Sequence, residues 1–203
     1  MKILAIHDGH NGTACYLQDG KVIAMVSEER FTNIKNQGGF PRKSVEWILQ
    51  TQNLRWDDFD QIVFPHLVAL IEYGSGKESS FARNLYGFLT KLLPRRVMAS
   101  TRLLRVYFRF VGQPHRWRQL ALHASKFGFD LNRVKQVEHH TAHAYSAIYG
   151  SGYQAQYEEL LVFTCDASGD GLSSTVGIWT KNRGYTRLLE SHSFDSIGTL
   201  YAA

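Results

Sequence analysis

The chain has 203 residues, 44% of them apolar and 20% charged, with a formal net charge of +5. That length can bury one large core or a core and a half, and the composition excludes a disordered, collagenous or disulfide-framework protein. No run approaches the ~18 apolar residues of a membrane-spanning helix, and Met1-Lys-Ile-Leu-Ala-Ile-His7 lacks the architecture of a secretory leader, so a cytoplasmic protein without a transmembrane segment is expected.

The charge is uneven: residues 77–118 hold ten lysines and arginines against the single acid Glu78, a local +9, leaving −4 for the remainder. This predicts a basic insert rather than a nucleic-acid-coating surface, so no nucleic-acid partner is expected. Cys15 and Cys165 both fall inside apolar strand-like runs, which predicts two buried, reduced thiols.

Lys2 to His7, Thr13 to Gln18 and Val22 to Ser27 are β-rich runs separated by Asp8-Gly-His-Asn-Gly12 and by the hairpin signal Asp19-Gly20, which predicts three antiparallel strands. Pro41 then introduces a helix over Lys43 to Gln50, with Val45, Ile48 and Leu49 at helical spacing, and Gln61 to Pro65 reads as a fourth strand. Apolar spacing across residues 81–111 predicts two amphipathic helices broken at Pro94, with a further helix over Arg116 to Phe127. A strand over Arg133 to Glu138 leads into a helix ended by Gly150 and Gly152, then come strands over Glu159 to Cys165, Ser174 to Thr180 and Tyr185 to Phe194. Ser196 to Ala203 reads as the opening turns of an amphipathic helix with no stop signal, so the chain is expected to be the amino-terminal piece of something longer. A strand that ends in an Asp-Gly loop and is followed by an antiparallel strand occurs twice, at residues 8 and 166.

Val137-Glu-His-His-Thr-Ala-His-Ala-Tyr-Ser-Ala147 carries the most chemistry. His139 and His143 lie one turn apart at the mouth of a helix, so both imidazoles can reach one cation. Asp166, at the end of a buried strand, supplies a carboxylate to complete a mixed nitrogen and oxygen set that suits Fe(II), Zn or Mn. His140 points about 100° away on the helix and reads as a packing or supporting residue. In Asp166-Ala-Ser-Gly-Asp-Gly171 the amides around Ser168, Gly169, Asp170 and Gly171 can converge on a nucleotide phosphate, although the segment taken alone also reads as a plain tight turn. In Asp8-Gly-His-Asn-Gly-Thr13 the glycines Gly9 and Gly12, with Asn11 and Thr13, can wrap a phosphate with His10 as donor, although the segment also reads as a hairpin with surface polar residues. Lys35, in Glu28-Glu-Arg-Phe-Thr-Asn-Ile-Lys35, can place a point charge beside an anionic substrate, although the stretch also reads as a solvated face.

Together, His10-Asn-Gly-Thr-Ala14, Ser27-Glu-Glu-Arg-Phe-Thr-Asn-Ile-Lys35 with Phe40-Pro41, His139 to Ala147 and Asp166 to Gly171 resemble the nodulation-type and antibiotic-tailoring O-carbamoyltransferases, in their amino-terminal domain. The resemblance covers the chain outside the insert at about residues 66–118. It implies an α/β fold: the first half of an actin-like ATPase (ASKHA, ribonuclease H-like) domain, residues 1–203, with a mixed sheet and a basic helical insert over about 66–130. It further implies an enzyme that uses carbamoyl phosphate and ATP to make a carbamoyl-adenylate, then carbamoylates a hydroxyl of a sugar or natural product. His10 and Lys35 match the family's carbamoyl phosphate site, and His139, His143 and Asp166 match its iron-type ligands, with Fe(II) favoured and Zn or Mn alternatives. Asn11 stands where the family often has Asp. A carboxy-terminal transfer domain and a hydroxylated acceptor are the implied partners, a homo-oligomer is compatible, and this piece is not expected to complete the reaction alone. Two other readings stand beside this one: a tRNA threonylcarbamoyl transferase-like enzyme, and a non-catalytic interaction module with a vestigial metal site.

Overall fold

The computed structural model describes residues 1–68, 106 and 108–198. The helices expected over 81–111 lie outside these residues, as does most of the helix expected from Ser196 onward. The chain divides into two compact units; among the described residues, the first holds 1–68 and 108–136 and the second holds 106 and 137–198.

The first unit is built on β1 (Lys2–His7), β2 (Thr13–Gln18), β3 (Lys21–Ser27), β4 (Gln61–Phe64) and β5 (Val134–Gln136), with α1 (Glu29–Thr32), α2 (Arg42–Thr51) and α3 (Gln113–Phe127) between them. The sheet order is β3-β2-β1-β4-β5. The first three strands are antiparallel, whereas β4 runs parallel to β1 and β5 parallel to β4. This is the mixed, ribonuclease H-like plan expected of one half of an actin-like domain.

Side-chain parity decides what the sheet buries. Leu4 pairs with Tyr16 and Ile62, Ile6 pairs with Ala14, and Tyr16 pairs with Ala24, so all of these share one face. They are buried together with Val45 and Ile48 of α2, Leu120 of α3, Phe59 and Phe129. Each fully buried Leu or Ile contributes about 1.5–3 kcal/mol. Asp8 continues the inward parity of Leu4 and Ile6, and its carboxylate meets Arg116 of α3 inside the protein. Arg116, which the sequence places in the basic stretch, is 1% exposed.

Glu28 holds the start of α2. Its carboxylate accepts from the backbone N–H groups of Lys43 and Ser44 at 3.0 and 2.8 Å and from the Ser44 hydroxyl at 2.8 Å. Pro41 at the helix start offers no side-chain cap, so this distant acid satisfies the free N–H groups and complements the positive end of the helix dipole. The Glu28 end of the charged segment is thus internal, not a solvated face.

The second unit contains α4 (His139–Ser151), β6 (Glu159–Gly169), β7 (Leu172–Thr180) and β8 (Gly184–His192), the strands forming an antiparallel sheet in that order. His140, Ala144 and Ile148 fall at intervals of four along one stripe of α4, and Ala144 and Ile148 pack with Val162 and Trp179 of the sheet. Leu161, Phe163 and Cys165 alternate onto the opposite face of β6 and are exposed. The expectation that both thiols are buried therefore fails for Cys165, because strand parity turns it outward. Cys15 is partly buried, and that burial pushes its thiol pKa up. Among the described residues, no helix is long and apolar enough to cross a membrane.

Candidate metal centre and phosphate loop

Two features of the sequence bring the proposed ligands together. The first is the spacing along α4, which puts His139 and His143 on one edge of the helix with ring centroids 4.5 Å apart. The second is an irregularity in β6. Cys165 pairs with Ser174 and Gly169 with Leu172, so residues 166–168 face Ser173 alone. This bulge takes Asp166 off the ladder and aims its side chain at the helix.

The three side chains meet. His139 Nε2 lies 2.7 Å from Asp166 Oδ2, His143 Nε2 lies 3.0 Å from His139 Nε2, and His143 Nε2 lies 3.6 Å from Asp166 Oδ2. Donors that share a cation at about 2.0–2.2 Å are separated by distances of this size. The three donor atoms converge on one point, where a divalent cation could take the place of the hydrogen bonds among them. The donor set therefore fits a borderline divalent ion.

Burial alone would hold the Asp166 carboxyl protonated to higher pH, but the His139 hydrogen bond, the Ala167 N–H and the two nearby imidazoles outweigh it and hold the group below its ordinary value. Asp166 is thus an anion at neutral pH, as ligation requires.

The helix start is fixed from two sides. Glu138 caps α4, accepting from the N–H groups of His140 and Thr141 at 3.0 and 2.9 Å and from the Thr141 hydroxyl at 2.7 Å. It also pairs with Arg187 of β8. Burial opposes ionisation of Glu138, yet the hydroxyl, the two amides and Arg187 together hold its carboxyl below the usual range. Asp170 accepts from the His139 N–H at 2.9 Å. Gly169 completes the seat: a Cβ there would lie 1.9 Å from Cδ2 of His139, so only glycine lets the ring approach.

His140 turns the other way, as its position on the helix requires. Its Nδ1 lies 2.9 Å from the Thr164 hydroxyl, which lies 2.7 Å from that of Thr175. Burial pushes the His140 imidazole below its ordinary pKa, keeping it neutral.

The segment Asp166 to Gly171 is less open than the sequence suggests. It is the bulged end of β6 followed by a two-residue turn, with Asp170 at φ 49° and Gly171 at φ 84°, the hairpin conformation that Asp-Gly favours. The Asp170 carboxylate is engaged in capping α4, and the Ser168 hydroxyl bonds that of Ser193 at 2.7 Å. As described, these two side chains serve the hairpin and the helix start.

In the first unit, the loop after β1 is drawn tight by backbone bonds. Gly12 N–H donates to Gln37 O at 2.8 Å, Gly39 N–H to Gly9 O at 2.9 Å and Glu28 N–H to Gly12 O at 2.8 Å. A Cβ on Gly12 would sit 2.7 Å from Gly39 O, so glycine is needed for this approach. Asn11 takes φ 85°, a left-handed conformation that Asn tolerates, and the Thr13 hydroxyl donates to Asn11 O at 2.8 Å. His10 is exposed at the loop tip, its ring 5.9 Å from that of His7. Lys35 is exposed in the turn that precedes the clasping residues 37–39. Four groups here escaped the sequence reading: Asp8, Glu28, Arg116 and Glu138. Inward parity would have revealed Asp8, and the position just before the histidine helix would have revealed Glu138.

Fold and site define a mixed α/β protein in which two histidines and one aspartate converge at a helix mouth and could hold a metal ion. The chain belongs to the family described as carbamoyltransferase N-terminus, which matches residues 2–203. It is similar to the nodulation protein NolNO of Sinorhizobium fredii, with 29% identity over 196 residues, covering 95% of this chain and 24% of that protein. Uncharacterised proteins of Methanocaldococcus jannaschii and Synechocystis are 26% and 27% identical, covering 99% and 96% of this chain and 29% of each relative. The chain thus spans between 24% and 29% of the length of these curated relatives. Among solved structures, YeaZ from Pseudomonas aeruginosa aligns with a TM-score of 0.41 at 10% identity, over 94% of this chain and 66% of that one.

Two outcomes are expected. Gly169→Ala should drive His139 from the centre and reduce metal content per protein, measured by inductively coupled plasma mass spectrometry, by about tenfold or more. Because the carboxyl of Glu138 titrates below its ordinary value when folded, its contribution is complete above the ordinary carboxylate range and is lost as pH falls through the folded value. Glu138→Gln should therefore cost about 1 kcal/mol at neutral pH, and the loss should shrink as pH falls below the ordinary carboxylate range, read from urea midpoints.

Proposed function

We propose that this chain is the amino-terminal part of an O-carbamoyltransferase that uses carbamoyl phosphate and ATP, through a carbamoyl-adenylate, to carbamoylate a hydroxyl of a sugar or natural product. The observation that carries this reading is the convergence of His139, His143 and Asp166 in a chain whose family is that of the carbamoyltransferase N-terminus.

Both co-substrates are polyanions, so the residues have mainly to neutralise charge and hold orientation. His10 at the loop tip donates to a phosphoryl or carbamoyl oxygen, and Lys35 supplies a compact positive charge. The amides of Gly9, Asn11, Gly12 and Thr13 line the same loop. In the second unit the amides of Ser168, Gly169, Asp170 and Gly171 are candidates for the nucleotide phosphates. A divalent ion, Fe(II) by preference with Zn or Mn as alternatives, held by His139, His143 and Asp166 would screen phosphate oxygens as a Lewis acid. In the transfer step the acceptor hydroxyl oxygen bonds the carbamoyl carbon, the bond from that carbon to the bridging oxygen of the adenylyl phosphate breaks, AMP leaves with the electron pair, and the hydroxyl proton passes to solvent.

The test is turnover by the whole protein with carbamoyl phosphate, ATP and a panel of hydroxylated acceptors, followed by mass spectrometry. The expected result is one added carbamoyl group and release of AMP, with His10→Ala, Lys35→Met and the double substitution His139→Ala/His143→Ala each losing about a hundredfold or more. Full turnover by the double histidine variant, or carbamoylation without ATP, would contradict the reading.

A further inference from the structure

The buried ion pair of the first unit has no role in the chemistry described so far. Arg116 donates from its two terminal nitrogens to the two oxygens of Asp8, both at 2.8 Å, with side-chain exposures of 1% and 3%. Its guanidinium carbon sits 5.3 Å from the centre of the Phe64 ring, and its Nε has no hydrogen-bond partner among the described residues. His123, also on α3, approaches Asp8 Oδ2 at 3.9 Å.

Stability is a weak reason for such a pair. Desolvating two charges cancels much of their attraction, and apolar residues of similar volume often serve as well. A two-pronged contact does offer direction, because it fixes the plane of the carboxylate as well as its place. Asp8 is the first residue after β1 and stands two residues before His10. The remainder of the loop is tied by the backbone bonds of Gly9 and Gly12. Among the described residues, Arg116 makes the two-pronged tie to Asp8, and it reaches there from 108 residues away.

We infer that Arg116 is a positioning residue: by gripping Asp8 it sets the direction in which the loop presents His10. This rests on the proposed role of His10 for its functional meaning, while its geometric content is independent of that role. It also implies that the Asp8 carboxylate is committed to the protein interior and is not offered to a phosphate-bound cation.

The experiment uses the whole protein with 13C-labelled histidine, the His10 ring signal being assigned through His10→Gln. Two variants are compared with the parent. The double substitution Asp8→Asn/Arg116→Met removes both charges together and is expected to melt close to the parent, because no uncompensated charge remains. Arg116→Lys keeps the charge but loses the fork, and decides the matter if the double variant fails to fold. The expected result in either variant is a displaced His10 ring signal and carbamoyl phosphate binding, followed through that signal, weakened by about tenfold. A folded variant with the parental His10 signal would overturn the inference and leave the pair a structural element. A parental His10 signal that ignores carbamoyl phosphate would instead sink the proposed role of His10, with the variants' signals still judging Arg116.

Discussion

The second unit depends on the meeting of His139, His143 and Asp166, and that meeting is forced rather than incidental. Two imidazoles and a carboxylate lie within 3.6 Å of one another at one helix mouth. Several groups act to hold it. Glu138 and Asp170 bind the first amides of α4, the bulge turns Asp166 inward, and the missing side chain of Gly169 admits the His139 ring. Each is an ordinary device of helix capping or strand geometry. Their concentration around three donor atoms is what distinguishes a centre from a chance cluster.

The two units repeat one architectural idea with different chemistry. In each, a strand ends in a turn containing Asp and Gly, and an antiparallel strand follows. In the first unit the aspartate, Asp8, turns into the core and is neutralised by Arg116, while His10 remains exposed at the loop tip. In the second, Asp166 stays partly exposed beside two imidazoles and is held as an anion. One carboxylate is anchored by a guanidinium and the other stands beside two imidazoles. The difference follows from which side chain the fold delivers opposite it.

The strands of both units were legible in the sequence because period-two alternation and Asp-Gly or Gly-rich turns are local signals. So was the histidine pair, since a spacing of four is fixed by helix geometry, and Asp166 was reachable because a buried strand must end somewhere polar. The pairing of Arg116 with Asp8 was not legible: the arginine sits in a basic stretch whose composition points to solvent, and its partner is 108 residues away. Glu28 was hidden in the same way, because the helix it caps begins beyond an intervening turn. The loop expected at Asp166 to Gly171 proved to be strand for most of its length, since Ala-Ser-Gly is permissive enough to follow β6 into a bulge. Local patterns thus gave the elements, while the contacts that orient the functional groups depend on distant partners.

X-ray absorption spectroscopy on the whole protein as isolated interrogates the centre most directly. The account predicts a first-row divalent metal near one per chain, with the multiple-scattering signature of two imidazoles and additional oxygen ligands at about 2.0–2.2 Å, both imidazoles vanishing in His139→Ala/His143→Ala. Metal-free protein that takes up no divalent ion, or a bound metal whose spectrum lacks imidazole scattering, would contradict it.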